Sequence, residues 1–408
     1  MITKIILENF FSFKHPTTIE LNPDINILLG INGSGKSNFL KAIHLLYESI
    51  VGNGFERIFL KDWSGFNSVM NFNVTEKNDI KLSFEFDKNV LKNVMKKEGF
   101  QFPDNPVYEM TICRSGETAY YLKEKLYSKN IKSYEDDIIY MEMNNTQGVI
   151  STNEKGKKGI EKYPQESNKI NFKSTEPVLR QISDPERFFP LFTLKRALEG
   201  ISFYDYFDTS LKSPIRQLSN YSTETKLLSD GQNLLNILNW IKNNHSLSYD
   251  NIEEAIKKIN PFFKDINFAF LGSKLYLVLR EKKLARSVPV EQISDGTLRY
   301  LLLLSVLFNP DRGCLVCIDE PEICLHPDMI NTISEAIKHA SKNTQLIFAT
   351  HSPLLLNLFE YDEIIIFEKN YLNETELFGK SADDFDELHE NTLPGQAWLQ
   401  GYLGAKRW

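Results

Sequence analysis

The apolar run Ile25-Asn-Ile-Leu-Leu29, interrupted by one asparagine, passes into Gly30-Ile31-Asn32-Gly33-Ser34-Gly35-Lys36-Ser37, and beyond it apolar residues recur at Phe39, Ile43, Leu46 and Ile50. A buried strand, a glycine-rich turn and a helix with one apolar face are predicted in that order. This setting is what makes G-x-x-x-x-G-K-[ST] a nucleotide-binding loop rather than a chance string. Glycines let main-chain N–H groups turn inward around phosphate oxygens where side chains would intrude. Lys36 offers a point charge to the β- and γ-phosphates, Ser37 a hydroxyl to Mg²⁺, and the helix N-terminus its partial positive charge. The stretch Asn32, Gly33, Ser34, Gly35, Lys36, Ser37 and Asn38 is therefore read as nucleotide-binding, with ATP and Mg²⁺ as the cofactors.

The 408 residues, 42% hydrophobic and 25% charged, leave room for two or three average domains or one enlarged α/β domain. A formal charge of −7 argues against bulk attraction to nucleic acid or anionic lipid and leaves a local basic patch open. Four cysteines make no disulfide framework in a chain of this length, which points to a reducing cytoplasm. The first nine residues alternate like a strand and lack the apolar block of a signal peptide. No apolar run is long enough to cross a bilayer, so no membrane partner is expected of the chain itself.

Residues 1–178 read as a β-rich N-terminal lobe: 79–87 alternate with period two, and strand-like stretches recur at 107–113, 118–122 and 136–143. Within it, 144–176 is read as a long polar loop or exposed hairpin, whose lysines keep nucleic-acid contact open. Residues 179–264 are read as a helical insertion, from Leu227, Leu234, Leu235, Ile237, Leu238 and Ile241 at helical spacing and a helix at 250–259 stopped by Asn260-Pro261. Residues 265–408 form a C-terminal lobe that opens on strands at 265–281.

That lobe carries a second group of motifs. The apolar run 315–318 ends in Asp319-Glu320-Pro321, so a strand delivers two acids to one sheet edge. Asp319 fits the second protein partner of Mg²⁺, and Glu320 then stands where it can polarise an attacking water. Upstream, Ser294-Asp295-Gly296-Thr297 opens an apolar helix and offers a hydroxyl and free N–H groups to an anion. Downstream, a buried strand at 345–350 delivers His351 to the ligand side of the sheet.

In order, spacing and identity these motifs resemble the ABC-type ATPase heads of the SMC/RecF class. More narrowly, Ser294-Asp-Gly-Thr-Leu-Arg299, Glu320-Pro-Glu-Ile-Cys-Leu-His-Pro327 and Thr350-His-Ser-Pro353 resemble compact ATPases allied to the OLD family. Many of those are encoded in bacterial defence cassettes beside a separate effector, as in the Rlo and PARIS systems. The resemblance implies an α/β fold: an ABC-type (RecF/SMC-like) P-loop ATPase head with a β-rich N-terminal lobe and a helical insertion. It implies that Ser37 and Asp319 hold Mg²⁺, Glu320 is the general base and His351 senses the γ-phosphate. Ser294 and Gly296 would reach across a homodimer interface to the γ-phosphate on the opposite subunit, so that ATP joins two heads and hydrolysis releases them. Glu322 to His326 would face the partner. The implied function is regulation of a separate nuclease or toxin in anti-phage defence; the alternative is a RecF-like DNA-repair ATPase that binds DNA when ATP is bound.

Several features depart from these patterns or imitate others. No glutamine stands at the expected Q-loop position, for which Asn67, Asn71 and Gln101 are candidates, and there is no long coiled coil. The stretch after His351 is too short for the nuclease domain of OLD proteins. Ser229-Asp230-Gly231 copies the serine turn and is read as a helix cap. Cys314, Cys317, Cys324 and His326 imitate a metal quartet, but 314 and 317 fall on opposite faces of one strand and are read as core. Asp384 and Asp386 are read as a solvated helix start. Phe11 and Phe13 are weighed as a stack for adenine against core packing.

Overall fold

Strands that are apolar along most of their length can be buried on both faces, and four of them form the middle of the molecule. Numbered in chain order, these are β3 (Ile25–Leu29), β15 (Leu315–Asp319), β16 (Gln345–Ala349) and β17 (Ile364–Lys369). With β10 (Ile201–Tyr204) and β18 (Thr375–Leu377) they make a six-stranded sheet in the order β10-β15-β16-β3-β17-β18. All its pairings are parallel except β17 with β18. The computed structural model describes residues 1–74, 78–94, 99–116, 119–130, 137–154, 157–164, 171–378 and 392–404; Asp384 and Asp386 lie outside them.

Alternation along these strands divides the molecule into two cores. Leu28, Leu315, Cys317, Ile347, Ala349, Ile365 and Phe367 face one. Ile25, Ile27, Leu29, Val316, Ile318, Leu346, Phe348, Ile364 and Ile366 face the other. The first core holds the helix Lys36–Ile50 and the second the helices Asp295–Leu307 and Pro327–Ala340. Parallel pairing also fixes where the chain turns. Asp319 stands opposite Ala349, and Ala349 opposite Leu28, so the segments after β3, β15 and β16 leave the sheet at one edge.

The first core is closed by an antiparallel sheet of eight strands: β1 (Ile2–Glu8), β2 (Thr17–Glu20), β4 (Ile80–Phe86), β5 (Pro106–Ser115), β6 (Ala119–Ser128), β7 (Ile138–Asn144), β8 (Gln147–Glu154) and β9 (Lys157–Tyr163). Their order is β2-β1-β4-β5-β6-β7-β8-β9. Ile80, Leu82, Phe84 and Phe86 of β4 are buried with polar residues between them, the period-two signature. One carboxylate sits inside this core. Glu124 of β6 accepts from the Tyr108 hydroxyl at 2.7 Å and from the Val178 N–H at 3.1 and 3.0 Å, and burial pushes it up to about 7. A third, smaller sheet comprises β11 (Ser219–Asn220), β12 (Phe263–Leu271), β13 (Lys274–Glu281) and β14 (Val288–Pro289).

Of the two readings of 144–176, polar loop or exposed hairpin, the hairpin is the one found: β8 and β9 pair and extend the large sheet. Its lysine-rich outer strand is an edge, and charge there resists further pairing, which is why it reads as polar. Within 179–264, β10 is not helical: it pairs in parallel with β15 and belongs to the central sheet. Four residues, Ile-Ser-Phe-Tyr, carry too little periodicity to stand out between helices.

Candidate functional site

Residues Asn32, Gly33, Gly35, Lys36, Ser37, Asn38, Asp319, Glu320 and His351 line one open depression at the shared sheet edge. Three separate strand ends supply them, so the register described above is what assembles the site. Asp319 ends β15, Glu320 donates its N–H to Ala349 O at 2.9 Å, and His351 follows β16. Glu320 holds φ 48°, a left-handed backbone that a residue with a Cβ adopts at a cost of roughly 1–2 kcal/mol. Its Oε1 lies 3.5 Å from His351 Nε2. Burial, then the Lys36 charge, holds His351 below the usual histidine range, against the pull of Glu320.

The loop between β3 and the helix Lys36–Ile50 is pinned from the far end of the chain. Thr375 Oγ1 lies 2.7 Å from both the Ser34 carbonyl and Ser12 Oγ, and Asn38 Nδ2 donates to Ser12 Oγ at 2.9 Å. Gly35, at φ +117°, could carry no Cβ because Thr375 occupies that space. At Gly33 the reverse holds: φ is +79° and a Cβ would meet nothing within 4 Å, since the position borders the depression. Ser34 Oγ is buried there with no hydrogen-bond partner.

The charges are unbalanced in a way that suits a metal and a polyanion. Lys36 is buried and donates to the carbonyls of Gly30 at 2.7 Å and Ile31 at 3.2 Å. Desolvation lowers it to about 8, partly offset by Asp319 and Glu320. Burial, together with the charges of Asp205, Glu320 and Glu322, raises Asp319 to about 6 against the pull of Lys36. Carboxylates crowded beside a lysine satisfied only by neutral carbonyls would be relieved by a divalent cation and phosphate oxygens. The donor set of Ser37 hydroxyl and Asp319 carboxylate is the hard-oxygen pair that Mg²⁺ takes, so the residues fit the group.

Ser294 and Gly296 do not line this depression. Ser294 is exposed and caps its own helix, its Oγ accepting from Thr297 N at 3.2 Å and lying 2.8 Å from Thr297 Oγ1. The turn nevertheless stands at the same edge. A Cβ on Gly296 would come within 2.8 Å of Cys324 O, and Arg299 Nη2 is 3.5 Å from Glu320 O.

Glu322 faces inward rather than outward: its Oε1 accepts from Thr350 Oγ1 and from His351 N at 3.1 Å, while Oε2 is buried without a partner. Ile323, Cys324 and His326, by contrast, are exposed. Phe13 is wholly buried and offers no face to a base; Phe11 is half-buried with Lys41 Nζ 4.5 Å over its ring. Asn71, alone of Asn67, Asn71 and Gln101, lines the hollow next to Asn38, while the other two are exposed. Ser229-Asp230-Gly231 is a turn ahead of the helix Leu234–Asn244, which starts after Asn233. Thr375, Ser12 and Asp205 belong to no motif and carry no signal in the sequence, because each acts on residues far away in the chain.

A model of the family described as "AAA domain, putative AbiEii toxin, Type IV TA system" matches residues 25–357. An ATP/GTP phosphatase of Helicobacter pylori is 24% identical over 398 residues, covering 94% of this chain and 93% of that protein. The retron Ec83 probable ATPase of Escherichia coli is 29% identical over 170 residues, 38% of this chain and 31% of that one. Among solved structures, the SmcHead bound to the C-winged helix domain of ScpA superposes with a TM-score of 0.57 at 13% identity, covering 94% of this chain and 98% of that one. At that identity the likeness is one of fold: the chain has the architecture of an SMC-type head. Among the described residues no helix is long and apolar enough to cross a membrane.

Proposed function

Because the chain belongs to the AAA-domain family whose model spans residues 25–357, we propose that it is a nucleotide-driven regulator in which two heads meet face to face on ATP and control a separate effector in bacterial defence. It is an ATPase of the SMC/ABC-like class. The observation that supports the reading is the convergence of Lys36, Asp319, Glu320 and His351 on one depression, with the Ser294 turn exposed on the adjoining rim.

In this reading Lys36 leaves the carbonyls of Gly30 and Ile31 for the β- and γ-phosphate oxygens. Ser37 and Asp319 hold Mg²⁺. The bound ion supplies charge neutralisation along the phosphate chain. Glu320 takes the proton of the attacking water, and its left-handed backbone and the neighbouring His351 fix where its carboxylate points. Ser294 and Gly296 serve the nucleotide of a second copy, because in their own chain they stand beside the depression and not in it. An effector encoded nearby would read the joined or separated state of the heads in the cytoplasm. The kinship with retron ATPases, over less than half of their length, favours a defence role.

Glu320→Gln tests the assignment: ATP binding stays intact while hydrolysis slows at least about a hundredfold, the scale of a lost general base. Light scattering should then find ATP-bound dimer accumulating; normal turnover in this variant overturns the role of Glu320. A second reading, DNA binding in the manner of RecF, draws on an open groove lined by Lys264, Lys282 and Arg286. It requires DNA affinity that appears with ATP and falls steeply with salt.

A further inference from the structure

We infer that Arg216 is a positioning residue for the Ser294 turn and sets the orientation in which one copy of the chain completes the nucleotide site of another. The inference rests on the face-to-face reading above. Arg216 ends the short turn Pro214–Arg216, with its side chain only 2% exposed. Its guanidinium is spent almost entirely on the chain entering the turn. Nη1 donates to the carbonyls of Val290 at 3.2 Å, Glu291 at 3.2 Å and Ile293 at 2.6 Å, and Nη2 donates to Asp295 Oδ1 at 2.5 Å. Nε donates to Thr209 O at 2.7 Å, which ties the same side chain back to its own segment.

A buried guanidinium is costly to desolvate, and an apolar side chain would fill the space at less expense. What an apolar side chain cannot do is bind three carbonyls and a carboxylate at once. With the carbonyls of residues 290, 291 and 293 and the Asp295 carboxylate all bound to Arg216, the backbone is held on both sides of Ser294, where the helix Asp295–Leu307 begins. A second brace comes from the same segment: the Arg299 guanidinium lies over the Tyr206 ring at 5.8 Å. Tyr206 follows β10, which pairs with the strand that ends in Asp319. The segment 205–216 therefore runs from the Asp319 edge to the serine turn and fixes one relative to the other. Arginine rather than lysine is needed, because only a planar fork can serve these partners at once.

The test mixes variants of the full chain. Asp295→Asn, whose side chain is mostly exposed, and Arg216→Lys should each keep calorimetric ATP affinity within about twofold of wild type, since the depression of their own chain is untouched. Turnover should fall about tenfold to a hundredfold, the scale of a misplaced reacting group. For Asp295→Asn the melting temperature should stay near wild type, a separation that mere loss of folding cannot give. Each variant mixed with Lys36→Ala should recover about a quarter of wild-type turnover, because half the dimers then hold one composite site with both parts sound. Ser294→Arg mixed with Lys36→Ala is the control for the face-to-face reading, which falls if that pair recovers nothing. If that pair does recover, full turnover in Asp295→Asn and Arg216→Lys alone, or no recovery when they are mixed, overturns the role of Arg216.

Discussion

Both large sheets bury ionisable groups, and the two sets behave differently. At the end of the parallel sheet, desolvation lowers Lys36 and raises Asp319 and Glu322. Inside the antiparallel sheet it raises Glu124 in the same way. Yet both oxygens of Glu124 are paired, to Tyr108 and Val178, and the group is sealed in the core. Around Lys36 the side chains border open space, and Ser34 Oγ and Glu322 Oε2 have no partner at all. A displaced pKa therefore marks a functional site only where polar capacity is left over and the group can reach something outside the fold.

Three substitutions put this contrast to the test. The largest effect belongs to Lys36→Ala. Two charge-assisted contacts to phosphate at roughly 1.5–3 kcal/mol each make the expected loss of ATP affinity about a thousandfold by calorimetry. Glu124→Gln should leave that affinity alone and alter only the pH dependence of stability. Below about 4.5 the carboxyl is protonated folded or unfolded; the unfolded chain releases its proton near 4.5 and the folded one only near 7. Wild type should therefore lose about 3 kcal/mol as pH rises through that window and stay at the lower level above it. The glutamine variant, having no proton to release, should show no such loss in urea titrations at successive pH values. If Glu124→Gln instead cut ATP affinity, the contrast between the two sheets would collapse. Thr375→Val should have the smallest effect, about 1 kcal/mol of stability and a few-fold loss of affinity, because one hydroxyl contact under the loop is removed while the phosphate-facing groups remain.

The central sheet and the depression were legible in the sequence because each motif ends an apolar run, and a parallel sheet must bring such ends to one edge. Gly33, Lys36, Asp319, Glu320 and His351 could be named for that reason. β10 was not legible, since four residues beside helices show no period. The family resemblance turns Glu322 toward a partner; the proximity of β15 and β16 instead turns it onto Thr350 and His351. Arg216 and Thr375 lie outside any motif, and the contacts that tie them to the site span 74 to 79 residues for Arg216 and 341 and 363 for Thr375. Contacts of that kind leave no local pattern to read.

The far-reaching clasp of Thr375 on Ser34 has a consequence for the newborn chain. β3 and its loop are translated long before either strand that flanks β3 and before the threonine beneath the loop. A truncated or stalled product would thus own a complete lysine loop by composition and lack the scaffold that shapes it. Competence to capture nucleotide therefore arrives only after Thr375 has been made and the flanking strands have paired.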